Sequence, residues 1–421
     1  MESCYMCIDL KRYFASAECA ARGLDPFKTN LVVADPDRVK GAICLAVSPA
    51  LSAQYGVKNR CRIYEIPEEA DYIIAKPRMT MYMRISAHIY GIYLKYVSSE
   101  DIHVYSVDEC FINAGPYLAM YKMKAKEFAQ MLMDKVMEET GITATAGIGT
   151  NMFLCKVALD ITAKHSPDNI GILDEDTFKQ TVQQHRPITD IWGIGRGTAR
   201  RLEKYGAYDL KAVSELPEAL LYREFGINAE FLIDHSHGRE SCTIKDIHNY
   251  KSKSKSLSNS QILFKDYDYP DALLIAKEMA DNLCKEMVCN GLYTNNISLY
   301  IGYADRTMPY SGASRKLDNY TDSYRKIAEV IDSIYTSTTK VGYPIRRVCI
   351  SFNDLSYDGM MNLSFFRDPV QEEREHKMQK AVASIKNRFG KNSVLRCMSL
   401  QEKATAQIRN KLVGGHNSGE S

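Results

Sequence analysis

The sequence lacks a strong excess of charge of either sign. Its formal net charge is +2 over 421 residues, so any anion-binding surface must come from local clustering and the long-range field is modest. It has no stretch of about 18 consecutive apolar residues, so no membrane-spanning helix is expected. The start, MESCYMCIDLK, lacks a basic segment followed by a long apolar one and does not read as a secretory signal. Twelve cysteines lie scattered without a disulfide-like spacing, which suits reduced thiols and a cytoplasmic location. The one close pair, Cys4 and Cys7, has no second Cys-x-x-Cys or matching Cys-x-x-His to complete a zinc site. Residues three apart on a strand face opposite ways, so both read as small buried apolar residues.

What is present is the composition of a globular chain, 45% apolar and 25% charged, long enough for two to four domains. Tyr5 to Ile8 forms a short apolar strand, Asp9 follows, and KRYFASAECAA has helical character. Residues 31–34 and 42–47 read as strands. SPALSAQYGV reads as a helix, with Ser48 as N-cap, Pro49 at its first position and Gly56 past its end. A long amphipathic helix, MTMYMRISAHIYGIYLKYV, precedes VYSVDECFIN, a hairpin pattern. A single helix is expected over 117–139, then a strand in ITATAGIGT and a helix in NMFLCKVALDITAKH that ends at Ser166-Pro167. Helices packed on an antiparallel sheet, an α+β layer, fit this order.

From about 170 to 240 the chain is strand-poor and punctuated by glycine. CTIKDIHNYKSKSKSLSNS, with Lys251, Lys253 and Lys255 alternating, has the composition of a linker. The pattern then restarts as βαββαβ, the ferredoxin-like arrangement. The last 50 or so residues are charged and partly helical, with a glycine-rich end, GGHNSGES, that reads as mobile.

Asp108 and Glu109 stand in a run that is otherwise β-branched, aromatic or sulfur-bearing, where strand interiors disfavour acids. VYSV-DE-CFIN could be an ordinary hairpin with an acidic tip. Alternatively, the tip presents two carboxylates to divalent ions, with Asp9, at the rim of a neighbouring strand, as the third acid. Three carboxylates and a backbone carbonyl such as that of Leu10 suit two Mg²⁺ ions. Set about 4 Å apart, such ions activate a hydroxyl nucleophile and stabilise a leaving pyrophosphate.

The contexts of these acids, CIDLKRYFASAE and YSVDECF, resemble the Y-family DNA polymerases, the translesion group that includes the UmuC and ImpB/MucB/SamB proteins. The resemblance also covers GITATAGIGTNMFLCKVALDITAK, IWGIGRGTARRLEKYG and the last α/β region, over about residues 1–366 in the expected order. It implies an α+β multidomain right hand. The palm would take residues 1–23 and 79–168, the small fingers 24–78, and a helical helix-hairpin-helix thumb 169–240. A linker (241–254), a βαββαβ little finger (255–357) and a tail (358–421) would follow. The implied activity is low-fidelity, template-directed DNA synthesis in damage tolerance and repair, with dNTP substrates and two Mg²⁺ ions, and without a proofreading exonuclease. A catalytically impaired DNA- and clamp-binding accessory of the same fold and a nucleotide cyclase are the other classes weighed.

By position, the resemblance makes Asp9, Asp108 and Glu109 the metal-binding and catalytic acids, with the Leu10 carbonyl as a further ligand. Phe14 would be the steric gate that excludes a ribose hydroxyl, with Tyr13 beside it. Lys164 lies where the family places a lysine on the incoming triphosphate, and Lys156 is the neighbouring candidate. The spacing here is one residue longer than in many members. The Tyr-x-x-Arg pair that many members use to hold the triphosphate is missing. Ala50 and Ala53 stand near those positions, and Lys58, Arg60 and Arg62 are the nearby cations.

Gly193, Gly195 and Gly197 would let backbone N–H groups approach a phosphate, with Arg196, Arg200 and Arg201 adding charge. The Lys251, Lys253 and Lys255 run and the Arg315-Lys316 pair are expected on template or primer phosphates. NLSFF, comprising Asn362, Leu363, Ser364, Phe365 and Phe366, resembles the peptide by which bacterial polymerases dock on a sliding clamp. The expected partners are primer–template DNA, a sliding clamp and SOS accessory proteins, and the chain is expected to be a monomer.

Overall fold

The computed structural model describes residues 3–36, 41–251, 255–357 and 369–419. Residues 3–36 and 41–251 belong to one compact unit, and residues 255–357 and 369–418 to a second.

At the centre of the first unit is β1 (Tyr5–Leu10). Its alternation sends Met6, Ile8 and Leu10 to one face and Tyr5, Cys7 and Asp9 to the other. The chain continues as α1 (Tyr13–Ala21), β2 (Leu31–Val33), β3 (Ala46–Val47), α2 (Pro49–Tyr55), β4 (Ile73–Ala75) and α3 (Met79–Tyr93). Next come β5 (Ile102–Val104), β6 (Glu109–Asn113), α4 (Gly115–Tyr121), α5 (Ala125–Thr140) and β7 (Ala144–Gly149). After α6 (Met152–Val157) the helix continues through a π turn at Ala158–Thr162, and β8 (Ile170–Leu173) follows. The main sheet runs β5-β6-β1-β7-β8, antiparallel except for the parallel β7–β8 pair. The strands β2, β3 and β4 form a separate sheet in the order β3-β2-β4.

Met6, Ile8 and Leu10 join the apolar faces of α1, α3 and α5 in the largest core. On the opposite face Tyr5 and Cys7 pack with Phe111, Met152, Cys155, Leu159 and Ile244. Cys4 and Cys7 thus fall in different cores and are both buried. Gly147 and Gly149 sit beside Cys7 and Tyr5 in the register, and the helix that follows crosses directly over them. A Cβ on Gly147 would stand 2.0 Å from the Cys155 carbonyl and 2.3 Å from the Leu159 nitrogen.

Several expectations change. The helix expected over 117–139 is two helices, because Lys122 adopts a left-handed conformation (φ 54°) that ends α4. The Glu127 carboxylate then accepts the Lys124 N–H at 2.9 Å and starts α5. The stretch expected to be strand-poor opens with β8, which pairs with β7 at the edge of the main sheet. The glycine-punctuated stretch forms α7 (Glu175–Thr181), α8 (Arg196–Glu203), α9 (Leu210–Ser214), α10 (Glu218–Phe225) and α11 (Ala229–Ser236). Part of the supposed linker is a helix, α12 (Ile244–Asn249), capped by Thr243 on the Asp246 N–H. Its Ile244 is buried on the second face of the palm sheet.

The second unit holds β9 (Leu257–Tyr267), α13 (Tyr269–Asn290), β10 (Thr294–Tyr303), β11 (Ser311–Thr321), α14 (Tyr324–Thr338) and β12 (Ile345–Asn353). The βαββαβ element order is the expected one. The antiparallel sheet runs β11-β10-β12-β9, which sets the fourth strand, rather than the third, beside the first. Both helices cover one face, around Leu283, Met287, Ile297 and Ile331. The C-terminal helix α15 (Pro369–Phe389) packs along α13, where Lys386 meets Asp281. The buried Glu278 carboxylate accepts the Thr405 and Ala406 N–H groups at 2.8 and 3.0 Å. Within the glycine-rich end, Leu412–Val413 pairs with His416–Asn417 around Gly414 and Gly415, both at positive φ, as a tight hairpin rather than a loose tail. No helix among the described residues is long and apolar enough to cross a membrane.

Candidate active site

Asp9 and Glu109 are direct cross-strand partners on β1 and β6, so both side chains leave the same face of the sheet. Glu109 is therefore the first residue of a strand, not part of the hairpin tip. The Tyr105 and Ser106 N–H groups both bond to the Glu109 carbonyl at 3.0 Å, which closes the turn before the acids. Asp108 ends that turn, and its carbonyl accepts the Leu10 N–H at 2.8 Å. Its carboxylate Oδ1 accepts the Ser106 hydroxyl at 2.6 Å.

Glu109 is held from the side. Its Oε1 takes an ion pair from Lys156 Nζ at 2.8 Å and the Cys7 thiol at 3.0 Å, with both paired side chains about nine-tenths buried. Lys156 also meets Asp160 at 3.2 Å. Burial pulls the Lys156 ammonium down, but Asp160 and Glu109 outweigh it and hold the group above its ordinary range. Among the described residues the Asp9 carboxylate has no hydrogen bond or ion pair. Burial, then the charges of Asp108 and Glu109, push its carboxyl up to about 8.

Both Asp9 carboxylate oxygens, Asp108 Oδ2 and Glu109 Oε2 therefore have no partner among the described residues. A half-buried set of carboxylates that keeps oxygens open has the donor chemistry for hard divalent ions. Among the described residues, however, no three His, Cys, Asp or Glu side chains are gathered closely enough to enclose an ion in this conformation.

Phe14 is half-buried, its ring 4.9 Å from that of Tyr82 and 5.6 Å from that of Tyr13. It is both a core edge and a candidate gate. Tyr13 is 2% exposed and its hydroxyl donates to the Tyr82 carbonyl, so its side chain is committed to the core. Lys156, expected near a triphosphate, is committed to Glu109. Lys164 is exposed in the short turn after the π turn and has no ion pair among the described residues. The cation that sequence reasoning missed is Arg12. It occupies the left-handed region (φ 51°, ψ 46°) at the start of α1, and burial lowers its pKa with no opposing carboxylate. Its one sequence signal is the Lys11-Arg12 pair in the turn after the strand that carries Asp9.

Gly193, Gly195, Arg196 and Gly197 are all exposed. Gly193 has φ 84°, and a Cβ on Gly195 or Gly197 would meet nothing within 4 Å. The preceding residue, Trp192, packs against Tyr105 and Phe111 with ring centroids 6.0 and 5.9 Å away. In the second unit Lys255 is exposed. Arg315 lies opposite buried Ile297 and donates to Ser333 and Ser337 of α14, so it faces the helices, not the open side of the sheet. Lys316, one residue on, takes the open side opposite Asn296. Lys253 and the peptide Asn362, Leu363, Ser364, Phe365 and Phe366 lie outside the described residues.

This fold is that of the Y-family polymerases, with Asp9 and Glu109 on adjoining strands of the main sheet and Asp108 in the turn before β6. The structure aligns with a solved Y-family DNA polymerase chimera at a TM-score of 0.61 and 17% identity, over 83% of this chain and 98% of the other. The impB/mucB/samB family matches residues 8–160, and the impB/mucB/samB family C-terminal domain matches residues 254–365. "Putative UV-damage repair protein UvrX" of Bacillus subtilis (strain 168) is 30% identical over 420 residues, covering 98% of this chain and 97% of the relative. "DNA polymerase IV 2" of the same organism is 27% identical over 414 residues, covering 97% of each. The chain belongs to the impB/mucB/samB family of Y-family polymerases.

Proposed function

We propose that this protein is a DNA-directed DNA polymerase that extends a primer by two-metal nucleotidyl transfer and copies damaged templates with low fidelity. The observation that carries the reading is the set of open carboxylate oxygens on Asp9, Asp108 and Glu109 at neighbouring strand ends. Two Mg²⁺ ions held there, with the Leu10 carbonyl as a further ligand, would supply the charge that activates the primer 3′-hydroxyl and neutralises the leaving pyrophosphate. Lys156 orients Glu109 by occupying one of its oxygens. Phe14 stands at the sugar side of the site and excludes a 2′-hydroxyl. Lys164 offers a mobile positive charge to the triphosphate. The Gly193–Gly197 turn holds the duplex through phosphate contacts that carry no sequence information.

The wider setting follows the same reading. The protein acts on primer–template DNA as a monomer in the cytoplasm, docks on a sliding clamp through Asn362–Phe366 and serves the SOS response with its accessory proteins. One observation favours a second reading, an accessory of the same fold with impaired catalysis. The acids do not converge as they stand, and one is tied to Lys156.

Primer extension on undamaged and abasic templates with Mg²⁺ and dNTPs separates the two. Extension by the wild type and none by Asp108→Ala supports the polymerase. No extension by either, with primer–template still bound, supports the accessory.

A further inference from the structure

The resemblance puts Ala50 and Ala53 where many family members carry the pair that grips the triphosphate, and an arginine at the start of α1 reaches the same helix. Arg12 directs its guanidinium at the fingers, and every acceptor it finds there is neutral. Its Nη1 donates to the Val47 carbonyl at 3.2 Å and to Asn59 Oδ1 at 3.1 Å, and its Nη2 donates to Ser52 Oγ at 2.7 Å. Of five guanidinium N–H donors, the Nε–H and one Nη2–H have no partner among the described residues. No carboxylate among the described residues pairs with Arg12.

Two features make this arrangement costly without a ligand. A half-buried charge fixed by neutral acceptors is poorly compensated. A non-glycine residue at φ 51° also carries strain that persists only where the surroundings impose it. Lys11 repeats the pattern, since its ammonium donates to the neutral Asn169 Oδ1 at 2.9 Å. Both cations lie between Asp9, at the metal end of the site, and Phe14, at the sugar end. The only strongly anionic group the reaction brings to that span is the phosphate chain of the incoming nucleotide.

We propose that Arg12 binds the triphosphate of the incoming dNTP and fills the role left vacant at Ala50 and Ala53. This deepens the polymerase reading and rests on it. Ser52, on the same fingers helix, contributes an acceptor that aims Arg12 rather than a charge of its own. The grip is then anchored to the palm at the start of α1, where the fork geometry of arginine suits two phosphate oxygens at once.

The test is single-nucleotide primer extension by wild type, Arg12→Gln and Arg12→Lys, with melting temperature and primer–template affinity measured for each. Gln keeps polar contacts toward the fingers without the charge. It is expected to raise KM for dNTP about 10-fold or more with kcat within about 3-fold, while melting temperature and DNA affinity stay near wild type. Lys is expected to recover part of the KM. A folded Arg12→Gln protein with wild-type KM overturns the proposal, as does a loss confined to DNA affinity or stability. If the wild type extends no primer, the polymerase reading fails on its own. Arg12 is then judged by dNTP affinity at a dideoxy-terminated primer–template in Ca²⁺, where equal affinity in wild type and Arg12→Gln overturns it.

Discussion

The Trp192 indole N–H donates to the Tyr105 hydroxyl at 3.1 Å, so the residue before the exposed glycine turn is tied to the hairpin that presents Asp108. Trp192 is the single tryptophan of the sequence, and its fluorescence therefore reports this junction alone. Tyr105→Phe removes the hydrogen bond while keeping the ring, at an expected cost of about 1 kcal/mol in urea unfolding. The emission should shift on loss of that partner. Unchanged emission and unchanged stability would mean that the turn and the hairpin are held by ring packing alone.

The Lys156–Glu109 pair has a stability signature distinct from its role in the site. Lys156→Met leaves Glu109 buried without its counter-ion, and a loss of roughly 3–5 kcal/mol is expected. Adding Glu109→Gln should return most of it, because the stranded charge is then gone. A double-mutant cycle by chemical denaturation checks this. Additive single losses would show that the two side chains are not coupled.

Two glycines should respond oppositely to alanine. Gly147→Ala places a Cβ against the backbone of the helix above it, 2.0 Å from the Cys155 carbonyl, and should cost about 3 kcal/mol or more. Gly195→Ala meets open space and has φ −86°, so its stability should hold while affinity for primer–template duplex falls. Thermal melts together with a salt series of duplex binding distinguish the two. A stable Gly147→Ala protein would mean that the helix can lift from the sheet.

Asp9 makes stability depend on pH in the metal-free protein. Its carboxyl rises from an ordinary 3.8 to about 8 through burial and then through Asp108 and Glu109. The folded state therefore holds a proton that the unfolded state has lost across that window, and stability falls as pH rises through it. In EDTA the melting temperature should decline between about pH 5 and about pH 8.5. The decline should be shallower in Asp9→Asn and in saturating Mg²⁺, which replaces the proton as counter-charge. Identical slopes in wild type and Asp9→Asn would exclude Asp9 as the source.

Much of this architecture is legible in the sequence, for reasons that particular residues show. Asp9 stands out because it ends an apolar run. The βαββαβ order stands out because its hydrophobic period switches repeatedly between two and 3.6. What sequence hides is partnership across elements. Alternation says which face a residue takes, not which neighbour meets it, so Lys156 reads as a phosphate ligand until the register puts it beside Glu109. Arg315 and Lys316 read as one basic pair until pairing with Ile297 and Asn296 separates their faces. Ile244 and Ile247, three apart in a lysine-rich stretch, carry a helix signal that composition outweighs. Arg12 is hidden because its meaning lies in the neutrality of Val47, Ser52 and Asn59, which no local pattern announces.

The π turn at Ala158–Thr162 bears on how this segment tolerates changes of length. An α-helix advances about 100° per residue, so one inserted residue would swing everything beyond it by more than a quarter turn. A single wide turn absorbs the surplus locally. Lys156 on one side and Lys164 on the other can then keep the phase of a segment one residue shorter. If family members are one residue shorter here, as the resemblance implies, the difference is one of counting rather than of direction. Deleting one residue within 158–162 is the length change this helix is best built to accept, whereas adding a second would have nowhere to hide.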